Sequence, residues 1–303
     1  ACDEAVVEKL TQPEVASALL FMETGRILRP IPEEPLPETP EAPEAPENTV
    51  PVALPAFSPS DADLVKVHAV NGYDADLPAL LAEPLSWKLK QTKPTVLIVH
   101  SHGSESYTKT EDYEEHSKYR TRNTDYNVVS IGAEIKRVLE AGGISVIHDT
   151  TCHDYPSYSK SYSNSRKSVK EYLAQYPSIE MVLDIHRDAI ANKNGEQVHY
   201  VTETKYGTAS RLMMVVGTDA NGLTHPNWPD NMALAVKLHA CLEKKTPGIC
   251  RPISFRKQRF NQDLSPGALI VEVGSAGNTR QEALLAGKIL ADAILDLSFG
   301  ANG

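Results

Sequence analysis

The chain has 303 residues, 41% of them hydrophobic, enough to bury one large core or two modest ones. Its 30 basic and 40 acidic side chains leave a net charge of -10, which argues against a nucleic-acid binder, whose surface carries a basic face. No stretch approaches the ~20 apolar residues that cross a bilayer. The chain begins at Ala1, so a processed or truncated form is expected, its signal or anchor lying outside the sequence.

Residues 1–29 contain a short apolar helix candidate, Pro13 to Glu23, opened by a proline in its first turn. Residues 30–60 read as a linker. Pro30, Pro32, Pro35, Pro37, Pro40, Pro43 and Pro46 alternate with glutamates there, a composition that extends the chain and cannot build a core. The globular part is expected over 61–303.

Within it, Val96-Leu97-Ile98-Val99 follows Lys93-Pro94 as a strand buried on both faces and runs into His100-Ser101-His102-Gly103-Ser104-Glu105. Asp125 to Gly142 has helical spacing, closed by Gly142-Gly143. Ile144 to Ile147 is a short strand. Ser165 to Tyr176 is a helix ended by Pro177, leading into the strand Met181 to Asp188. Leu212 to Gly217 is a strand, and Asp230 to Lys245 an amphipathic helix. Ala268 to Gly274 is a strand carrying Glu272, and Thr279 with Glu282 is a capping-box pattern opening the last helix. Strands alternating with helices predict an α/β fold, a single domain with a mixed, mainly parallel central sheet flanked by helices. Four cysteines (2, 152, 241 and 250) show no C-x-x-C spacing, so a zinc ribbon is not expected; Cys241 and Cys250 are spaced for a disulfide between a helix end and the next strand.

Three apolar strands end in metal-binding side chains, and ligands in open α/β sheets bind beyond such ends. His102-x-x-Glu105 offers imidazole and carboxylate on one turn, a pair that suits zinc. Taken alone, His102 also suits an ordinary surface turn. Strand alternation places His100 and His102 on one face, so either is a ligand candidate and the other an orienting group. His186 sits between Asp184 and Asp188, either of which could hold its second ring nitrogen; a salt-bridged structural histidine fits as well. Arg187 would hold a substrate carboxylate or an internal acid. Glu272, between Val271 and Val273, is a carboxylate in apolar surroundings. It is either a general base raised toward neutrality by burial or half of an ion pair with Arg251 or Arg259. Tyr158 and Tyr162, in a Tyr/Ser-rich loop, would line a glycan or peptide groove.

Together these residues resemble the stage II sporulation protein P family of peptidoglycan hydrolases. The resemblance runs from about residue 90 to 290. It rests on His100 to Tyr107, on Asn127-Val128-Val129-Ser130-Ile131-Gly132, and on Gly143 to Asp149. It continues through Pro156-Ser157-Tyr158 with Ser161-Tyr162, Leu183 to Asp188, Asn261-Gln262-Asp263-Leu264 and Val271-Glu272-Val273-Gly274. That family is similar to the zinc N-acetylmuramoyl-L-alanine amidases, whose strand-end His-Gly matches His102-Gly103. Their second histidine ligand matches His186, and their catalytic glutamate motif matches Val271 to Gly274. Their acidic ligand opens the first helix and would fall near Asn123, a poor zinc ligand, so the acidic ligand is expected at Glu105.

The resemblance implies Zn²⁺ held by His102, Glu105 and His186, with Glu272 as the catalytic base. His100, Asp184, Arg187, Asp188, Tyr158 and Tyr162 would surround the site, making 61–303 the catalytic domain. It further implies an amidase, active in sporulation engulfment and credited also with cleaving cross-links. Its place would be extracytoplasmic, in the space between forespore and mother cell, tethered through an anchor absent from this chain. Its partners would be peptidoglycan and stage II sporulation proteins D and M. The alternatives are a zinc carboxypeptidase-like peptidase on stem peptides and a non-catalytic wall-binding scaffold.

Overall fold

The computed structural model describes residues 57–300, apart from 71 and 86–88. The N-terminal segment 1–29 and nearly all of the Pro/Glu linker lie outside the described residues. Pro59–Leu64 forms a 3₁₀ turn in which Asp61 accepts from the Ser58 amide and pairs with Lys244.

Nine strands and five α-helices follow among the described residues. They are β1 (Val67–Ala69), α1 (Leu77–Ala82), β2 (Val96–Val99), α2 (Val128–Ala141), β3 (Val146–His148), α3 (Ser161–Gln175), β4 (Met181–Asp188), β5 (Val201–Thr204), β6 (Gly207–Ser210), β7 (Leu212–Val216), α4 (Trp228–Lys245), β8 (Ile253–Phe255), β9 (Ala268–Ser275) and α5 (Arg280–Gly300). Seven strands make one sheet in the order β1-β8-β7-β9-β4-β2-β3. Every neighbouring pair is parallel except β7 with β9. The domain is therefore a mixed, mainly parallel α/β sheet, as its strand–helix alternation predicts. β5 and β6 form a separate antiparallel hairpin.

The sheet is covered unequally. Val96, Ile98, Leu183, Ile185, Leu269 and Val271 point to one face and join the main core with α2, α4 and α5. Leu97, Val99, Val182 and Ala268 point to the other and meet Val169 and Ile179, on and just after α3. Burial on both faces is why β2, β4 and β9 read as near-continuous apolar runs. Helix ends follow local chemistry. Asn127 caps α2 by accepting from the Val129 amide. At its other end Gly143, at φ +83°, lets the Gly143 and Ile144 amides return to the Glu140 and Leu139 carbonyls. Thr279 and Glu282 exchange the expected capping-box hydrogen bonds at α5.

The structure departs from the sequence reading in several places. α3 begins at Ser161, a turn earlier than expected, which puts Tyr162 on the helix. Strands β1, β5, β6 and β8 and helix α1 were not anticipated. Cys241 and Cys250 are both free thiols and not a disulfide; the Cys241 Sγ faces the Ala293 carbonyl of α5. Among the described residues no helix is long and apolar enough to cross a membrane.

Candidate active site at the strand ends

The carboxyl ends of β2, β4 and β9 lie side by side. His186 and Glu272 are direct partners in the β4–β9 register, and Val99 is paired with Asp184. Parallel pairing thus sets His186 and Glu272 on one face by backbone geometry alone. Just beyond, the register breaks between His186 and Asp188, a local irregularity of the kind found beside active sites.

Asp184 and His186, two residues apart, share the α3 face. Asp184 Oδ1 lies 2.8 Å from His186 Nε2. The same carboxylate accepts from the Ser101 amide at 2.8 Å and the Ser101 hydroxyl at 2.5 Å. Ser101 in turn meets Ser165 of α3, which receives a hydrogen bond from Asn261. The Nε2 side of His186 is therefore fixed, and its Nδ1 faces Glu105 Oε2 at 3.6 Å. Against the burial that would lower it, Asp184 and Glu105 raise the His186 pKa well above the ordinary histidine value.

Glu105 is buried within the turn following β2. Arg187 approaches it twice, through its amide at 3.2 Å and its guanidinium at 3.3 Å, and Arg120 stands 3.6 Å away. Burial would raise this carboxyl, but Arg187 and His186 prevail and hold it at about 2. Arg187 also donates to the carbonyls of Ser106 and Tyr119. Of its two expected roles, it takes the internal acid.

His102 stacks on Tyr158, with ring centres 4.4 Å apart. It meets His186 edge-on at 5.3 Å and 89°, and its buried Nδ1 has no hydrogen-bond partner. Burial, then the proximity of His186, lowers its pKa. Tyr162 closes the cluster, edge-on to His102 at 5.4 Å and stacked toward His186 at 6.4 Å.

Glu272 pairs with neither Arg251 nor Arg259. Arg251 binds Asp188 at 2.7 Å, and Arg259 stands beside Asp263. The Glu272 Oε2 atom is shut from solvent without a partner. Burial pushes its pKa up to about 8, outweighing His186.

Two expected placements are corrected. His100 does not line the groove beside His102. It is fully buried, with Nδ1 2.9 Å from the Ile185 carbonyl and Nε2 2.8 Å from His148 Nε2. Alternation fails as a guide because β2 ends at Val99. His100 continues to the α2 face, Ser101 to the α3 face, and the turn at 101–104 swings His102 back to the α3 face. Asp188 does not hold His186; it answers Arg251, and Asp184 alone takes the ring nitrogen.

Sequence reasoning overlooked Arg120, which sits 4.7 Å over the Tyr158 ring and binds Asp154 at 2.9 Å. It also left Asn261 without a task, although that residue fixes the Tyr162 carbonyl at 3.0 Å. Both belong to loops, where no periodicity betrays a side chain's direction. Among the described residues no group of three or more His, Cys, Asp and Glu side chains is already drawn into metal-holding geometry. The Cys152 thiol donates to Asp154 Oδ1 at 3.2 Å, and burial together with Asp154 pushes it up to about 12.

A family model for stage II sporulation protein P matches residues 34–295. Stage II sporulation protein P of Bacillus subtilis (strain 168) is 30% identical over 230 residues, 70% of this chain. The chain spans about half of that relative's length, 54%. Among solved structures, the CwlD amidase from Clostridioides difficile in complex with the GerS lipoprotein aligns at 14% identity. That alignment covers 66% of this chain and 94% of that one, with a TM-score of 0.40. The N-acetylmuramyl-L-alanine amidase Ami1 from Mycobacterium smegmatis aligns at 11% identity over 68% and 95%, with a TM-score of 0.38. At these scores neither likeness bears on function. The match over residues 34–295, together with the curated relative, identifies the chain as a member of the stage II sporulation protein P family.

Proposed function

We propose that this chain is a zinc-dependent N-acetylmuramoyl-L-alanine amidase that hydrolyses peptidoglycan during sporulation. The observation that carries the reading is the convergence at one strand edge of two buried atoms without partners, His102 Nδ1 and Glu272 Oε2, around the His186–Glu105 pair. Buried polar atoms are rarely left unpaired, and these two flank the same ion pair at the strand ends, which favours a ligand there.

The residue types suit zinc, which takes imidazole and carboxylate. Ligand atoms ~2.0–2.1 Å from one tetrahedral ion stand about 3.4 Å from each other, and two imidazole centres about 5 Å apart. The His186–Glu105 separation of 3.6 Å and the His102–His186 ring distance of 5.3 Å are close to both. His102, His186 and Glu105 would hold the ion. Asp184 fixes the His186 tautomer, and Arg187 keeps Glu105 ionised. When bound, the ion would supply a Lewis acid that polarises the scissile carbonyl and acidifies water. Glu272 accepts the proton of the attacking water and returns it to the departing amide nitrogen. Tyr158 and Tyr162 wall the cleft on the α3 side. Cleavage of cross-links, a tether to the membrane through a segment outside this sequence, action between forespore and mother cell, and work alongside stage II sporulation proteins D and M belong to the same reading and are supported by family membership.

Zinc content and product analysis on purified wall test it. About one zinc per chain, with a free lactyl carboxylate left on muramic acid, is the expected result. Glu272→Gln should retain the metal while turnover falls by about 10³. Shortened stem peptides would assign a carboxypeptidase-like activity instead. Wall binding by a metal-free, inert chain after zinc is supplied would leave a scaffold.

A further inference from the structure

Beside the cluster just described, two loops carry an arrangement that the hydrolytic chemistry does not use. Among the described residues five large hydrophobic side chains are prominently exposed, and two of them, Tyr155 (49%) and Tyr158 (55%), fall in one short segment next to His102. Each is covered by an arginine from the loop opposite. The Arg120 guanidinium lies 4.7 Å over Tyr158, and that of Arg122 lies 4.4 Å over Tyr155. Arg120 and Arg122 are two residues apart, so their backbones stand within about 7 Å of each other.

The two arginines differ in what answers their charge. Arg120 binds Asp154 at 2.9 Å and approaches Glu105 at 3.6 Å. Asp154 also accepts from the amide and hydroxyl of Ser104, at 3.1 and 2.6 Å, so the two loops are pinned together. Among the described residues the exposed Arg122 guanidinium has no carboxylate partner. Its centre lies 4.4 Å over the Tyr155 ring, and a ring face offers a guanidinium no hydrogen-bond acceptor of carboxylate strength. The edge N–H groups stay free in the fork that matches a carboxylate. In a protein of net charge -10, an exposed arginine without a carboxylate partner, set over Tyr155 in the segment that also carries Tyr158, is a group suited to an anion.

We infer that Arg122, Tyr155 and Tyr158 form a binding platform at the rim of the site for a peptide bearing a free carboxylate, with Arg122 taking the carboxylate and the two rings the apolar backbone and side-chain faces. The inference deepens the amidase reading and rests on it: the platform leads through Tyr158 directly to His102, where the bond to be cut would lie. The stem peptide of the wall is the ligand class this chemistry selects.

The test is the affinity of the full chain for two synthetic probes, a muramoyl stem peptide with free carboxylates and the same peptide with those groups amidated. Wild type should bind the acidic probe about tenfold tighter, the worth of one charge-assisted contact. Arg122→Gln should bind both alike, Arg122→Lys should recover part of the preference, and Arg137→Gln, on the outer face of α2, should keep all of it. Equal binding of the probes by wild type, or an undiminished preference in Arg122→Gln, overturns the platform. Hydrolysis of wall is measured on the same preparations. Hydrolysis without an Arg122-dependent preference removes the platform and leaves the enzyme; the preference without hydrolysis removes the enzyme and leaves a peptide-binding site.

Discussion

Two histidine pairs stand back to back across the central sheet, and they differ in how their ring nitrogens are answered. His100 and His148 lie on the α2 face, nitrogen to nitrogen at 2.8 Å, with the second nitrogen of His100 answered by the Ile185 carbonyl. His102 and His186 lie on the α3 face, ring to ring at 5.3 Å, with one nitrogen of His102 answered by nothing and one of His186 by a carboxylate beyond hydrogen-bond reach. The first pair is closed and needs only the protein. The second leaves a nitrogen of each ring without a hydrogen bond. Residues two apart in sequence thus differ in hydrogen-bond satisfaction, not in residue type.

The sharpest way to break this contrast is to exchange the damage. His102→Ala should abolish zinc binding and wall hydrolysis while leaving the urea midpoint, compared with wild type in chelator so that metal binding adds nothing to either, nearly unchanged. His100→Ala should keep its zinc and lose about 2–4 kcal/mol of stability, because it opens a cavity and strands buried polar groups. Atomic absorption and urea titration of both variants decide the matter, and metal loss in His100→Ala alone would reverse the assignment.

A subtler cut falls on Gly132 of α2. A Cβ there would stand 2.6 Å from His148 Nε2 and 2.7 Å from His100 Nε2. Gly132→Ala should therefore cost about 1–3 kcal/mol even though alanine is the better helix former. The expected signature is a lowered thermal midpoint with zinc stoichiometry intact; a gain in stability would show that the pair yields freely.

The smallest effect is a pH dependence. Burial holds His100 at about 4, and burial together with His100 holds His148 at about 3. Unfolded, both titrate near 6.5. Below pH 6.5 the unfolded chain binds protons that the fold refuses, so this contribution to stability is complete above 6.5. It declines as the pH falls toward 4 and then 3, by on the order of 1–2 kcal/mol per imidazole between pH 7 and 5. His148→Gln should flatten the slope of urea midpoint against pH; an unchanged slope would place the acid lability elsewhere.

Much of this site was legible because three apolar runs end abruptly in polar side chains. His102, Glu105, His186 and Glu272 are brought together as those runs suggest, and Asp184 follows from its spacing to His186. What escaped reading did so for physical reasons. The face taken by His100 depends on where β2 stops, a boundary that four uniformly apolar residues do not mark. Arg120 reaches Glu105 and Tyr158 from an irregular loop. The hairpin β5–β6 combines half-exposed threonines and a glycine with little apolar alternation, and the three-residue strands β1 and β8 exist only because β7 gives them an edge to extend. The disulfide open to Cys241 and Cys250 on spacing gave way to the packing of Cys241 against α5.

The pairing of His186 with Glu272 across neighbouring parallel strands has an evolutionary corollary. Their separation is set by the backbone ladder, whose spacing of about 4.8 Å is common to all sheets, whereas Arg120, Arg122, Tyr155 and Tyr158 hang from loops. Substitutions and length changes in those loops can reshape the rim while the spacing of His186 and Glu272 stays fixed. A lineage can in this way remodel the segments around residues 119–122 and 152–158 alone, and never pass through an ancestor whose strand-end groups are out of place.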